Sequence, residues 1–189
     1  MIALQIICLL LLGIVCVAVL IVSIIFAYLT VSAGFMHTSP AVPSHGKVKK
    51  AIIDEASSIL KNTSYQQTVM DLGSGWGTLL LPLAKEFPNH KFVGIECGFL
   101  PYWVSVWRSR KLKNLVFLRQ DFFDTDISDT DLIFVFLLTS TMAKLTAKIK
   151  NEMKKESLVI ANRFPMKDTE PHKEVSLGSK YYTYYVYKN

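Results

Sequence analysis

Val69-Met70-Asp71-Leu72-Gly73-Ser74-Gly75-Trp76-Gly77 is the stretch on which the reading of the fold turns. An apolar run of strand length ends in an acidic residue, then in three glycines at alternate positions, and is followed by an apolar segment of helical length. Glycine at those positions permits a tight turn and lets a ligand come close to the backbone. A helix that starts there directs free N–H groups at whatever sits in the turn.

The pattern on either side of this stretch alternates. A helix is expected over 47–61, where Val48, Ile52, Ala56 and Ile59 recur at helical spacing with charges on the other face. Strands are expected at 68–72, 91–96, 115–120, 131–138 and 158–163, and helices at 78–87, 100–111 and 142–155. Pro82 falls inside 78–87, so that helix must either begin nearer Leu81 or kink. The aromatic, β-branched tail at 181–187 predicts a sixth strand in a hairpin at the sheet edge. Strands separated by helices imply crossover units, so the expected fold class is α/β: a Rossmann-like, doubly wound, mostly parallel sheet with helices on both faces.

The N-terminal part is different in kind. Hydrophobic residues make up 51% of the 189, and mean hydropathy is +0.31. All 21 basic and 15 acidic residues nevertheless lie after residue 46, which leaves that part about a quarter charged, as in an ordinary globular domain. Residues 2–31 are almost wholly Ile, Leu, Val, Ala and Cys. About 20 apolar residues suffice to cross a bilayer, so this segment can span with tilt to spare. Val31-Ser32-Ala33 resembles a signal-peptide cleavage site, but the apolar run is too long for one and no Lys or Arg precedes it. The expected organisation is a transmembrane anchor at 1–33, a Pro/Ser-rich linker at 34–46 and a catalytic domain at 47–189. Lys47, Lys49 and Lys50 follow the span and assign that domain to the cytosolic side.

The glycine spacing is G-x-G-x-G, whereas dinucleotide-binding turns that seat a pyrophosphate read G-x-G-x-x-G. An acidic residue beside the turn suits a ligand carrying an ammonium group, which points to S-adenosyl-L-methionine. Glu96, at the end of the next strand, is placed to accept hydrogen bonds from ribose hydroxyls. Asp121 and Phe122, after the third strand, offer an acid for an adenine amino group and a ring for its face. The expected cofactor residues are therefore Asp71, Gly73, Ser74, Gly75, Gly77, Glu96, Asp121 and Phe122.

With these motifs in view, the soluble part resembles class I S-adenosylmethionine-dependent methyltransferases. It is similar in particular to small membrane-anchored protein lysine methyltransferases acting on the ATP synthase c-subunit or the adenine nucleotide translocase, and to their bacterial relatives. The resemblance also covers Thr38-Ser39-Pro40 with Pro43-Ser44, Val93-Gly94-Ile95-Glu96, Leu100-Pro101-Tyr102, Trp107-Arg108-Ser109-Arg110 and Arg163-Phe164-Pro165. It implies a membrane-tethered enzyme that N-methylates a lysine of a membrane or membrane-associated protein. A lipid headgroup or lipophilic small molecule is the alternative acceptor, and a cofactor-binding module without turnover the alternative class. Trp76 and Thr78 depart from the mitochondrial pattern, which has an acid and an arginine around the third glycine. Leu138-Thr139-Ser140-Thr141 replaces a proline-containing loop after the fourth strand.

No catalytic base announces itself. Asp121, Thr139 and Ser140 are candidates by position alone. Three scattered cysteines and four scattered histidines give no metal-ligand spacing, so no metal is expected. The net charge of +6 admits nucleic acid, but the basic residues are spread along helices and attraction to anionic lipid explains them as well, so no nucleic-acid partner is expected.

Overall fold

The computed structural model describes residues 2–35 and 46–189, without side-chain detail at 2–4, 29–35 and 180. The chain divides into two units, Met1–Pro40 and Ala41–Asn189. Most of the expected linker, with the Thr38–Pro40 and Pro43–Ser44 motif, lies outside the described residues.

The described part of the first unit is one helix, α1 (Ile2–Phe35), which takes in Gly34, expected to open the linker. Its stretch Gln5–Tyr28 is apolar and long enough to cross a membrane, with mean hydropathy 3.3. Large side chains point outward all round it: Ile7, Leu9, Leu12, Val19 and Phe26 are each more than half exposed.

The second unit opens with α2 (Gly46–Lys61), whose buried stripe is Val48, Ile52, Ala56 and Leu60. There follow β1 (Thr68–Leu72), α3 (Leu80–Glu86), β2 (Lys91–Ile95), α4 (Phe99–Ser109), β3 (Leu115–Leu118), β4 (Leu132–Val135), α5 (Thr139–Glu152), β5 (Leu158–Asn162), β6 (Lys173–Ser176) and β7 (Thr183–Lys188). The strands form one sheet in the order β3-β2-β1-β4-β5-β7-β6, parallel from β3 to β5 and antiparallel at β7 and β6. One apolar core holds α2 and α3 against one face of the sheet, and a second holds Met142, Leu145 and Ile149 of α5 against the other.

Pro82 is the third residue of α3, where its missing N–H has no intrahelical acceptor to lose, so a helix starting at Leu80 accommodates it. The tyrosine-rich tail departs from expectation. β7 lies inside the sheet, between β5 and an unanticipated edge strand, β6, and Tyr184, Tyr185 and Tyr187 are buried. The pattern of β6, Lys-Glu-Val-Ser, carries one apolar side chain and gives no strand signal. Tyr184 donates to Glu55 Oε2 at 3.0 Å, and Lys173 pairs with the same oxygen at 2.6 Å, fastening the end of the sheet to α2.

Candidate functional site

The order of strands reverses between β1 and β4, which opens a crevice at their carboxyl ends. The glycine turn lies there. Gly73, Gly75 and Gly77 have φ of +86°, +52° and +70°, a region side chains rarely adopt. The amides of Gly73 and Ser74 both donate to the Ile95 carbonyl at 2.9 Å, tying the turn to the end of β2.

Glu96 completes the tie. Its Oε2 accepts the Gly75 N–H and its Oε1 the Gly98 N–H, each at 2.7 Å. The carboxylate is buried, so these two charge-assisted bonds replace lost hydration. The Cys97 thiol also donates weakly to Oε1, at 3.8 Å, so about one of roughly four acceptor positions stays open for a ligand hydroxyl.

Asp71 is on β1 between β2 and β4, with its side chain 7% exposed and no hydrogen bond or ion pair to its carboxyl among the described residues. Burial raises its pKa from 3.8 to about 7, with the nearby Glu96 charge adding to the effect. Ser74 Oγ is also buried and without a partner. An acid and a hydroxyl left unpaired beside the turn match a ligand that carries both an ammonium and a carboxylate, as the amino-acid end of S-adenosylmethionine does.

The cleft is lined by Asp71, Gly73, Ser74, Gly75, Trp76 and Thr78 from the turn, by Phe134, Val135 and Phe136 from β4 and its end, and by Ile160 and Asn162 from β5; Ile52 of α2 also reaches it. The Phe136 and Phe164 rings stack nearby, 6.2 Å between centroids. Gly77 serves packing rather than the cleft. A Cβ there would lie 2.6 Å from Phe117 Cζ, so this glycine admits the ring beneath the turn.

The remaining expected residues stand apart from the cleft lining. Asp121 is exposed and caps a 3₁₀ turn at 122–124, accepting the Phe123 N–H at 2.8 Å. Phe122 is packed in the core with Ile95, Ile127 and Leu137 and tilts against Phe123 at 4.6 Å. Thr139 and Ser140 are exposed in the first turn of α5. Sequence reasoning passes over Asn162 and Phe136. Asn162 carries a usable signal, a polar residue ending an apolar strand on the ligand side of the sheet. Ile52 carries none, because its approach depends on how α2 packs.

Comparison with known proteins agrees with this geometry. The family model for the ANTKMT methyltransferase domain matches residues 71–173. A protein-lysine N-methyltransferase of Saccharolobus islandicus is 26% identical over 153 residues, covering 78% of this chain and 92% of that one. The lysine N-methyltransferase of the ATP synthase c-subunit from Caenorhabditis elegans is 30% identical over 131 residues, 67% of each chain. Among solved structures, an RNA methyltransferase of Salinibacter ruber in complex with S-adenosyl-L-homocysteine superimposes with a TM-score of 0.66 at 23% identity, covering 78% of this chain and 93% of that one. That likeness is one of fold. The chain belongs to the ANTKMT methyltransferase domain family and is an S-adenosylmethionine-dependent methyltransferase.

Proposed function

We propose that this enzyme N-methylates a lysine of a membrane or membrane-associated protein while held at the bilayer by α1. The unpaired pair Asp71 and Ser74 beside the glycine turn carries the cofactor part of this reading. The lysine acceptor is supported by the two curated relatives, both named as lysine N-methyltransferases. The bilayer is supported by an apolar helix of spanning length whose surface is apolar on every side.

S-adenosylmethionine supplies a methyl group already activated by its sulfonium. The chain's own residues hold and orient. Gly73, Ser74 and Gly75 would provide a backbone cradle, Glu96 would take ribose hydroxyls, and Asp71 and Ser74 would take the amino-acid end. Asp121 and Phe122, which follow β3, would hold an adenine's amino group and face. Trp76, Phe136 and Asn162 also line the cleft and would help to exclude water around an acceptor amine, as an in-line transfer requires. A lysine amine has a pKa near 10.4 in water, and an apolar wall lowers it by disfavouring the charged form. Tethering raises the effective concentration of acceptors at the same surface.

The test compares methylated peptides and lipids between a deletion strain and its parent, followed by transfer of labelled methyl from S-adenosylmethionine by the purified full chain. Loss of one or more methyl-lysine peptides from a membrane-fraction protein is the expected result. A change confined to lipids would refute the lysine acceptor, and no transfer to any acceptor would refute turnover.

A further inference from the structure

Helix α4 presents an unusual surface. Phe99, Leu100, Trp103 and Trp107 are between 45% and 65% exposed, and Phe99, Trp103 and Trp107 follow one another at intervals of one helical turn on the same face. Phe99 and Trp103 meet edge to face at 6.2 Å. Burying these side chains elsewhere in the domain was open to the fold, as Tyr184, Tyr185 and Tyr187 are buried in β7. A row of exposed large aromatics marks an interaction surface.

Along the chain from 97 to 120 the charge has one sign. Arg108, Arg110, Lys111, Lys113 and Arg119 are all exposed, and no Asp or Glu occurs between residues 97 and 120. The Arg110 guanidinium lies over the Trp107 ring at 4.6 Å and that of Arg119 over Phe99 at 5.3 Å. Lys85 of α3 joins Trp107, Arg108, Arg110 and Lys111 around a shallow groove. The neighbouring acid, Glu86, is held by Lys61 at 3.0 Å. Among the described residues, none of the cations around the groove is paired with a carboxylate.

We propose that the α4 face is a membrane-docking surface, with Phe99, Trp103 and Trp107 seated at the interface of an anionic bilayer and Lys85, Arg110 and Lys111 holding lipid phosphates. Trp among apolar side chains, bordered by Lys and Arg, is the composition of the membrane–water boundary. Each cation near an anionic surface adds to the attraction. Basic and aromatic residues together also suit single-stranded RNA. Leu100, an aliphatic side chain exposed within the row, offers nothing to a base, while α1 is itself apolar enough to enter a bilayer. Docking has a consequence for the enzyme, because Arg108 Nη1 donates to the Trp76 carbonyl at 2.7 Å. That bond fastens the docking helix to the glycine turn and holds the cleft near the surface where a membrane acceptor emerges. The inference rests on the proposed bilayer location and adds the face that meets it.

The chain carries three tryptophans, Trp76, Trp103 and Trp107, and none in α1, so fluorescence reads the face directly. The full chain is reconstituted in phosphatidylcholine vesicles with and without phosphatidylglycerol, using lipids with brominated acyl chains to quench nearby indoles. Quenching that is stronger with phosphatidylglycerol, survives in Trp76→Phe and is lost in Trp103→Phe/Trp107→Phe is expected. Arg110→Glu/Lys111→Glu should remove the dependence on phosphatidylglycerol. Tryptophan emission unaffected by bromination, or quenching retained in the Trp103/Trp107 double variant, would overturn the proposal. So would an oligoribonucleotide that binds this face when vesicles do not. Carbonate extraction of the same vesicles separates the two readings: release of the chain removes the α1 anchor, whereas quenching still reports on α4.

Discussion

Glu96 accepts the Gly75 N–H at 2.7 Å, joining the carboxyl end of β2 to the middle of the glycine turn. The bond gives one carboxylate two roles. It holds the turn in its left-handed conformation, and it brings a buried acid to the place where a ribose would lie.

Replacing Glu96 by Ala should therefore act twice. Affinity for S-adenosylmethionine or S-adenosylhomocysteine should fall by roughly 1–3 kcal/mol, the usual cost of charge-assisted hydrogen bonds, and the cofactor-free protein should also lose stability because the Gly75 and Gly98 amides are left unpaired. Calorimetric titration and thermal unfolding check the two effects. Unchanged affinity would put the ribose contact elsewhere.

Asp71 gives a pH signature. Its folded pKa of about 7 is above its ordinary 3.8, so the folded chain holds a proton that the unfolded chain releases. Its contribution to stability is present below about pH 4 and is lost as pH rises through about 7. The cofactor-free enzyme should show this downward slope, and Asp71→Asn should flatten it. Cofactor binding runs the other way, because an ammonium group favours the ionised carboxylate. Affinity should rise between about pH 6 and about pH 8 in the native chain and be weaker and flatter in Asp71→Asn. Titrations at several pH values decide it.

Two glycines of the turn should respond differently. At Gly77 a Cβ would press on Phe117, and φ is +70°, so Gly77→Ala should destabilise the fold by about 1–3 kcal/mol. Phe117→Leu in the same chain should recover part of that loss. At Gly73 the nearest side-chain atom, Leu137 Cδ2, would be 3.5 Å away, an ordinary contact. Gly73→Ala should therefore cost about 1 kcal/mol of backbone strain and lose cofactor affinity in greater proportion. Paired unfolding and binding measurements separate the cases.

The mature N-terminus constrains every acceptor. With α1 retained, intact mass of the native protein should include residues 1–33, and residues 47–189 should resist protease in sealed cells. A mature chain beginning at Gly34 would remove the anchor and the membrane-confined acceptor together.

The core strands were legible because each is a short apolar run bounded by turn residues, and the expected bounds of β1 match the structure residue for residue. Pro82 showed that the expected start of α3 at residue 78 could not stand as read, and the helix begins at Leu80. Beyond β5 the tail strand was legible, as β7, but its place inside the sheet and its partner β6 were not. The tyrosines of β7 alternate with nothing polar enough to mark a face, and the partner that buries them, β6, is short and charged. Candidate ligand residues near the glycine turn came from local spacing, whereas Asp121 and Phe122 show how position alone leaves a side chain's work open. One oxygen of Asp121 is spent on a cap, and Phe122 is spent on packing.

By itself the sequence determined that this chain has an apolar helix of spanning length, an α/β domain and a glycine turn at the carboxyl end of its first strand. Those follow from composition and periodicity, which act over a few residues at a time. Tertiary structure alone decided that Glu96 folds back on Gly75, that Asp71 is desolvated enough to titrate near neutrality, and that Ile52, Phe136 and Asn162 share one cleft. Each of these depends on groups far apart in the chain coming within a few ångströms. Only the packing of β1, β2, β4, β5 and α2 supplies that proximity, along with the loss of water that gives it chemical force.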